Sequence, residues 1–152
     1  MLQRPQTLYL LGVFFLSSLL ITGPLARFSV DGSEFLLRHS GLVSSTGDKL
    51  ELATWPLSVL FILVAILSFL NIFLHKHRVI QMRISIFLIL IGLGMTSMIF
   101  YYIWVAKNQL DGASVLHQLR IVLPPIIAIF LYLAFRRIRR DELMVKAYDR
   151  IR

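Results

Sequence analysis

The sequence contains no cysteine, and four long apolar stretches contain no Lys, Arg, Asp or Glu. Without thiols the chain cannot carry out disulfide exchange or thiolate catalysis, and it cannot hold an iron–sulfur or cysteine-ligated zinc site. A thiol oxidoreductase is therefore excluded. Proton and cation relays inside membranes normally use carboxylates or histidines, and the four stretches have neither. We therefore do not expect a carboxylate-based pump or antiporter.

The four apolar stretches themselves predict an integral membrane protein. They cover residues 8–26, 55–74, 84–106 and 121–135, and 57% of all residues are hydrophobic. The hydrocarbon core of a bilayer is about 30 Å thick, so roughly 20 apolar residues cross it as an α-helix. The second and third stretches reach that length, whereas the first does so only by including Gly23 and Pro24.

The fourth stretch is short and has two prolines near its start, Pro124 and Pro125. A helix that began at Pro124 would be too short to span before Arg136, so we expect a kinked helix beginning near Ser114. The predicted fold class is an all-α membrane protein with a four-transmembrane-helix bundle. It forms one domain over residues 1–152, with spans near 8–26, 55–74, 84–106 and 114–135.

A cleaved signal peptide is the alternative for the first stretch, because Arg4 precedes an apolar run that ends at Pro24, Leu25 and Ala26. A proline at the third position before a cut at Ala26 is unfavourable. We therefore expect the segment to remain in the protein as a helix.

Positive charge is distributed unevenly along the chain and predicts its orientation. Lys and Arg in short loops stay in the cytoplasm, and 11 of the 16 basic residues belong to the N-terminus, the loop 75–83 and the tail 136–152. Both termini are therefore expected in the cytoplasm, with the loop 27–54 outside. The net charge of +8 lies mostly beside the membrane helices, so membrane lipids, and not nucleic acid, are the expected partners.

Turn signals divide the loop 27–54 into short hairpins. Residues 28–30 are expected to pair with 34–37 across Asp31-Gly32, and residues 41–44 with 49–52 across Thr46-Gly47-Asp48. Such a sheet would cover the outer ends of the helices, either as a recognition surface or as a lid.

The tail 136–152 predicts a cytoplasmic amphipathic helix after the last span. Its apolar residues lie on one side of a 3.6-residue helix and its charged residues on the other. This helix either rests on the inner leaflet or docks a cytoplasmic or membrane partner. For the protein as a whole, other integral membrane proteins are the expected protein partners. The candidate contacts with a partner or with lipid are Arg136, Arg137, Arg139, Arg140, Val145, Tyr148 and Ile151.

Small and polar residues recur at helical spacing in the third stretch. Ser85, Gly92 and Thr96 are candidates for close helix packing, and the functional alternative is a groove for a lipid tail or a partner helix.

No motif indicates catalysis or a metal centre. His75 and His77 are two apart, which places them on different sides of a helix. His39 and His117 are isolated and are expected to be ordinary surface histidines, and the eight acidic residues lie outside the apolar stretches. We predict no catalytic, metal-binding or cofactor-binding residue, and hence a protein that is not an enzyme.

Several short segments resemble a known family. They are Leu74-His75-Lys76-His77-Arg78 with Gln81-Met82-Arg83, Arg140-Asp141-Glu142, Val145-Lys146-Ala147 and the closing Asp149-Arg150-Ile151-Arg152. Gln3-Arg4-Pro5-Gln6-Thr7 and Thr54-Trp55-Pro56-Leu57 fit the same pattern. Together they resemble the small bacterial membrane proteins called domain of unknown function 4293. The resemblance covers essentially the whole chain and implies four spanning helices in a bacterial cytoplasmic membrane, without an established activity.

Two functions from different classes agree with the sequence. The first is a non-catalytic accessory or scaffold subunit of a larger inner-membrane complex, indicated by the structured outer loop and the basic amphipathic tail. The second is a stand-alone lipid-handling or lipid-sensing protein, indicated by the possible groove beside Gly92 and by the basic residues at the inner surface.

Overall fold

The computed structural model describes residues 5–30, 33–44, 49–50, 52–74, 77–110, 114–117 and 119–149. Within these residues it has four α-helices: α1 (Pro5–Ile21), α2 (Trp55–Phe73), α3 (Arg78–Gln109) and α4 (Leu123–Asp149). Five strands accompany them: β1 (Ala26–Val30), β2 (Ser33–Arg38), β3 (Gly41–Ser44), β4 (Lys49–Leu50) and β5 (Ser114–His117). The prediction of four helices with a small antiparallel sheet is confirmed at this level.

The four helices pack as a closed ring in which α1 and α3 each contact both α2 and α4. Contacts between the start of one helix and the end of its neighbour show that adjacent helices run antiparallel; Arg78 of α3, for example, reaches Asp141 of α4. We call the end that holds the starts of α1 and α3 the basic end, because Arg78, Arg83 and the arginines of α4 lie there. The opposite end, which carries the strands, is the sheet end.

The interior of the ring is built from apolar residues at helical spacing. On α3 the buried positions form one stripe with steps of three or four residues: Gln81, Ser85, Leu88, Gly92, Met95, Ile99, Ile103 and Ala106. The outward faces are also apolar, with exposed Phe87, Leu90, Leu93, Phe100 and Trp104 on α3. Apolar residues on both faces are typical of a helix whose solvent is lipid.

In the described part of the chain, three helical segments are long and apolar enough to cross a membrane: Trp55–Phe73, Arg78–Gln109 and Leu119–Met144. They indicate a membrane protein. The first helix is apolar but shorter, with 17 residues. The prediction of an apolar helix that continues to residue 26 is wrong at its end, because the helix stops before Gly23-Pro24 and Ala26 already belongs to β1.

The two strand pairings predicted in the loop 27–54 are confirmed, whereas the predicted turns at Asp31-Gly32 and Thr46-Gly47-Asp48 lie outside the described residues. β1 pairs antiparallel with β2 and β3 pairs antiparallel with β4. The sheet is larger than predicted, since β2 also pairs with β3 through the turn at His39-Ser40 and β1 pairs with β5. The strand order is β4-β3-β2-β1-β5. Gly41 follows the turn with φ of 147°, a conformation that favours glycine.

The prediction of a kinked helix from Ser114 is wrong. Ser114–His117 is strand β5, paired with Ala26–Ser29 of β1, and a 3₁₀ helix at Leu119–Val122 then leads into α4. Pro124 and Pro125 therefore lie in the first turn of α4, where a missing backbone N–H costs little. The helix gains its length at the other end, since it continues through the arginines to Asp149.

This continuity also corrects the prediction of a separate amphipathic helix over 136–152. Arg136 to Asp149 form the second half of α4, without an interruption after the apolar part. Charged residues end a hydrophobic segment but do not end a helix, because Arg, Glu and Lys are good helix formers.

Side-chain hydrogen bonds hold the sheet against the start of α2. Thr54 Oγ1 donates to the backbone oxygen of Arg38 at 2.8 Å, and Ser58 Oγ donates to the backbone oxygen of His39 at 2.8 Å. The ring of His39 lies with Nδ1 2.8 Å from the same Ser58 hydroxyl. The hydroxyl proton is already given to the carbonyl, so Nδ1 is the donor in that contact. His39 is thus a bonded part of the sheet-to-helix junction, and the prediction of an isolated surface histidine is wrong.

Candidate functional site

A pocket of about 190 Å³ opens between α1 and α4 at the basic end. It is lined by Tyr9 of α1 and by Leu133, Arg136, Arg137 and Arg140 of α4. Three of its five lining side chains carry a guanidinium group. We call it the arginine pocket.

The pocket exists because α4 stays helical beyond its apolar part. Positions 136 and 137 lie three and four residues after 133, and 140 lies four and three residues after them, so the four side chains project from the same side of the helix. Had the helix ended at Phe135, the arginines would not form a continuous row beside α1.

Tyr9 enters the pocket because α1 and α4 approach each other closely. A Cβ atom at Gly12 would lie 2.9 Å from the ring of Phe130, so this glycine allows the approach. One turn away, Tyr9 meets Phe130 edge to face, with ring centroids 6.0 Å apart. This contact holds the phenol ring beside the arginine row.

The electrostatic character of the pocket is uniformly positive. Guanidinium groups stay charged at every physiological pH and offer only hydrogen-bond donors. Among the residues that the structure describes, no carboxylate pairs with Arg136, Arg137 or Arg140. The ion pair found among these residues lies at the sheet end, where Arg27 Nη1 is 3.9 Å from Glu34 Oε2. The arrangement therefore suits an anion that presents several acceptor oxygens.

A second polar feature lies inside the ring, near the basic end. Gln81 Nε2 donates to the backbone oxygen of Asn71 at 3.0 Å, Asn71 Nδ2 donates to Ser85 Oγ at 2.9 Å, and Ser85 Oγ donates to the backbone oxygen of Gln81 at 2.8 Å. All three side chains are buried. Amides and a hydroxyl serve for hydrogen bonding rather than for proton transfer, so this network fastens α2 to α3.

Comparison with protein-family models finds a match over residues 2–151 to the family described as domain of unknown function 4293. This chain belongs to that family. Neither the comparison with curated proteins nor the comparison with solved structures finds a match. For this DUF4293 chain, the comparisons therefore support membership of a family whose description names no activity.

In this DUF4293 chain, the arginines predicted as partner or lipid contacts divide into two sets. Arg136, Arg137 and Arg140 line the pocket, whereas Arg139 is exposed outside it. Val145 and Tyr148 lie on the α4 backbone, but their side chains, like all of Ile151, lie outside the described part of the chain.

The residues predicted for helix packing are found on α3. Ser85 belongs to the buried network, and Gly92 is buried against Ala128 and Leu131 of α4. Thr96 is partly buried and donates to the backbone oxygen of Gly92 at 2.9 Å.

The sequence prediction missed Tyr9 and Leu133 as pocket residues. Both lie within apolar stretches, and nothing in the sequence pairs the start of α1 with the end of α4. The available signal was the position of Tyr9, close to the predicted membrane boundary where tyrosine is enriched.

Proposed function

We propose that this protein crosses a bacterial cytoplasmic membrane four times, with the basic end in the cytoplasm and the sheet end outside. The excess of Lys and Arg at the basic end supports this orientation. The packing of α1 along α2 and α4 supports a fourth span. Its 17 residues rise about 26 Å, so a small local thinning of the bilayer accommodates it.

Within that placement, the protein acts as a non-catalytic accessory or scaffold subunit of a larger inner-membrane complex. The observation that carries the proposal is the unbroken α4, together with Leu143 and Met144 near its end. Their side chains are 58% and 48% exposed. Contiguous exposed apolar patches outside the membrane mark surfaces that contact another protein, and we propose that these two neighbouring side chains belong to such a patch.

In the proposed orientation, these two residues lie beyond the lipid surface because α4 is long. Met144 lies eight residues after Arg136, which corresponds to about 12 Å along a helix. The headgroup layer on each side of the bilayer is only about 5–7 Å thick. A helix that continues without a break also cannot turn to lie flat on the inner leaflet. Leu143 and Met144 are therefore available to a partner and not to lipid.

The partner surface is expected to combine an apolar patch with acidic groups. Leu143 and Met144 supply the apolar contact, and exposed Arg139 lies one turn before them on the same helix. Complementary charge steers such a partner to the basic end and fixes its orientation.

The experiment is purification of the tagged full-length protein from native membranes in mild detergent, followed by mass spectrometry of the retained proteins. The variant L143S/M144S should lose a partner that the unchanged protein retains in stoichiometric amount. The matched control is L119S, which makes a side chain that is 86% exposed at the sheet end polar. Loss of the partner from both variants, or from neither, would contradict docking on α4.

The second candidate is a lipid-handling or lipid-sensing protein that acts alone. The specific observation in its favour is the arginine pocket, which lies where α4 leaves the apolar region. Recovery of the protein without a stoichiometric partner, but with one enriched anionic lipid, would favour this function over the accessory subunit.

A further inference from the structure

The geometry points to the arginine pocket as a binding site for a phosphate group, supplied by the headgroup of an anionic phospholipid or by free phosphate. This inference goes beyond the accessory function, because docking on Leu143 and Met144 does not require a ligand between α1 and α4. It depends on the three guanidinium groups and Tyr9, which line one surface pocket.

Phosphate fits the donors that the pocket presents. Each guanidinium group can give two parallel hydrogen bonds to oxygen atoms of one anion, and Tyr9 adds a hydroxyl group. A single carboxylate offers two oxygen atoms for three guanidinium groups, whereas free phosphate offers four, and the phosphatidylglycerol headgroup adds ester and hydroxyl oxygens to the two charged oxygens of its phosphodiester. A group rich in acceptors therefore satisfies more of the donors that converge here.

The surroundings of the pocket match the depth of lipid phosphates. On the apolar side, α1 and α4 expose Leu8, Ile129 and Tyr132. Leu133 lies on the pocket wall, and the charged row follows directly at Arg136. In the proposed orientation, an acyl chain would run along the exposed apolar residues while its phosphate entered the pocket, as basic pockets at the cytoplasmic surface do with anionic headgroups.

The first arm of the test uses lipid. The full-length protein is reconstituted in vesicles of phosphatidylcholine with and without phosphatidylglycerol, extracted in mild detergent, and analysed by native mass spectrometry for retained phosphatidylglycerol. The variant R136Q/R140Q should retain it more weakly, by about tenfold for each arginine, since a hydrogen bond to a charged group is worth about one decade of affinity.

The control for that arm is R83Q/R139Q. It removes the same number of charges from the same end of the molecule, but neither arginine lines the pocket. Retention close to that of the unchanged protein is expected for this control. If both double variants lost the same amount of phosphatidylglycerol, the lipid would be attracted by general surface charge. That result would overturn the proposed binding site in the pocket.

The second arm uses inorganic phosphate with the detergent-solubilised protein. Thermal unfolding is followed in phosphate and in chloride of equal ionic strength, for the unchanged protein and for R136Q/R140Q. If phosphate raises the midpoint of thermal unfolding for the unchanged protein but not for the variant, free phosphate binds in the pocket. A response in the lipid arm alone would identify the lipid headgroup as the ligand. No pocket-dependent response in either arm would overturn the inference.

Discussion

Small side chains determine how closely the helices of this protein approach one another. At Gly92 on α3, an added Cβ would lie 3.5 Å from Leu131 Cδ1 and 3.8 Å from Ala128 of α4. At Gly94, two residues further on, nothing lies within 4 Å. The two glycines therefore face different surroundings, a helix neighbour in one case and open space in the other.

We predict that G92A is tolerated and that G92L is destabilising. An alanine Cβ meets ordinary van der Waals distances, whereas a leucine would force apart α3 and α4 at a cost of about 1–3 kcal/mol. The measurement is the free energy of unfolding in detergent, and G94L is the matched control. Equal stabilities for G92L and G94L would show that α4 does not pack on Gly92.

The buried network supplies a second prediction for single residues. S85A removes the acceptor of Asn71 Nδ2 and should lower the free energy of unfolding by about 1–3 kcal/mol, the cost of an unsatisfied buried amide. S97A is the control on the same helix, since exposed Ser97 donates only to the backbone oxygen of Leu93 in its own helix. A loss no greater in S85A than in S97A would contradict the network.

At the scale of secondary-structure elements, a side-chain hydrogen bond joins the sheet to the start of α2. Thr54 is buried just before α2, and its hydroxyl donates to Arg38 of β2 instead of capping its own helix. The contacts of Ser58 with His39 lie at the same junction, and Phe28, Leu37 and Leu42 of the strands are buried. We infer that the Thr54 hydrogen bond adds to these contacts in fixing the sheet on the bundle.

T54V should therefore loosen the sheet while leaving the helices intact. Backbone hydrogen exchange in β2 and β3 is expected to become faster by about a factor of five, which corresponds to roughly 1 kcal/mol for one hydrogen bond. T96V serves as the control, because Thr96 donates within α3. Unchanged exchange in T54V would contradict a role for the Thr54 hydrogen bond in holding the sheet.

Local signals in the sequence predicted pairings between neighbouring strands well. Pairings between distant parts of the chain were not predicted. The pairings of β1 with β2 and of β3 with β4 were predictable because the two strands of each pair are close together in the chain. Strand β5 was not, because its partner β1 lies more than 80 residues away. Hydropathy likewise ended the fourth span at Phe135, although the arginines that follow are good helix formers.

The same distinction applies to the candidate site. Three of its arginines stood out in the sequence as a charged cluster after an apolar stretch. Tyr9 did not, because its place in the site depends on the close approach of α1 and α4 at Gly12 and Phe130. A pocket between two helices distant in the chain is visible only once their packing is known.

At the scale of the whole molecule, both proposals depend on one placement in the membrane. The arginine pocket and the exposed residues Leu143 and Met144 lie at the basic end, and the sheet lies at the other. Four spans with the basic end in the cytoplasm place both surfaces where a cytoplasmic partner and the inner leaflet can reach them. If α1 did not cross, the N-terminus would lie on the same side as the sheet.

Labelling of single cysteines with a membrane-impermeant maleimide tests this placement most directly. Since the chain has no natural cysteine, every label found on the tagged protein after its purification comes from the introduced residue. In intact cells we expect S33C, on the exposed start of β2, to be labelled, and Q3C and R139C to react only after the membrane is broken. Labelling of Q3C from outside would contradict the proposal that α1 crosses the membrane. Labelling of R139C from outside would contradict the orientation on which both proposed surfaces depend.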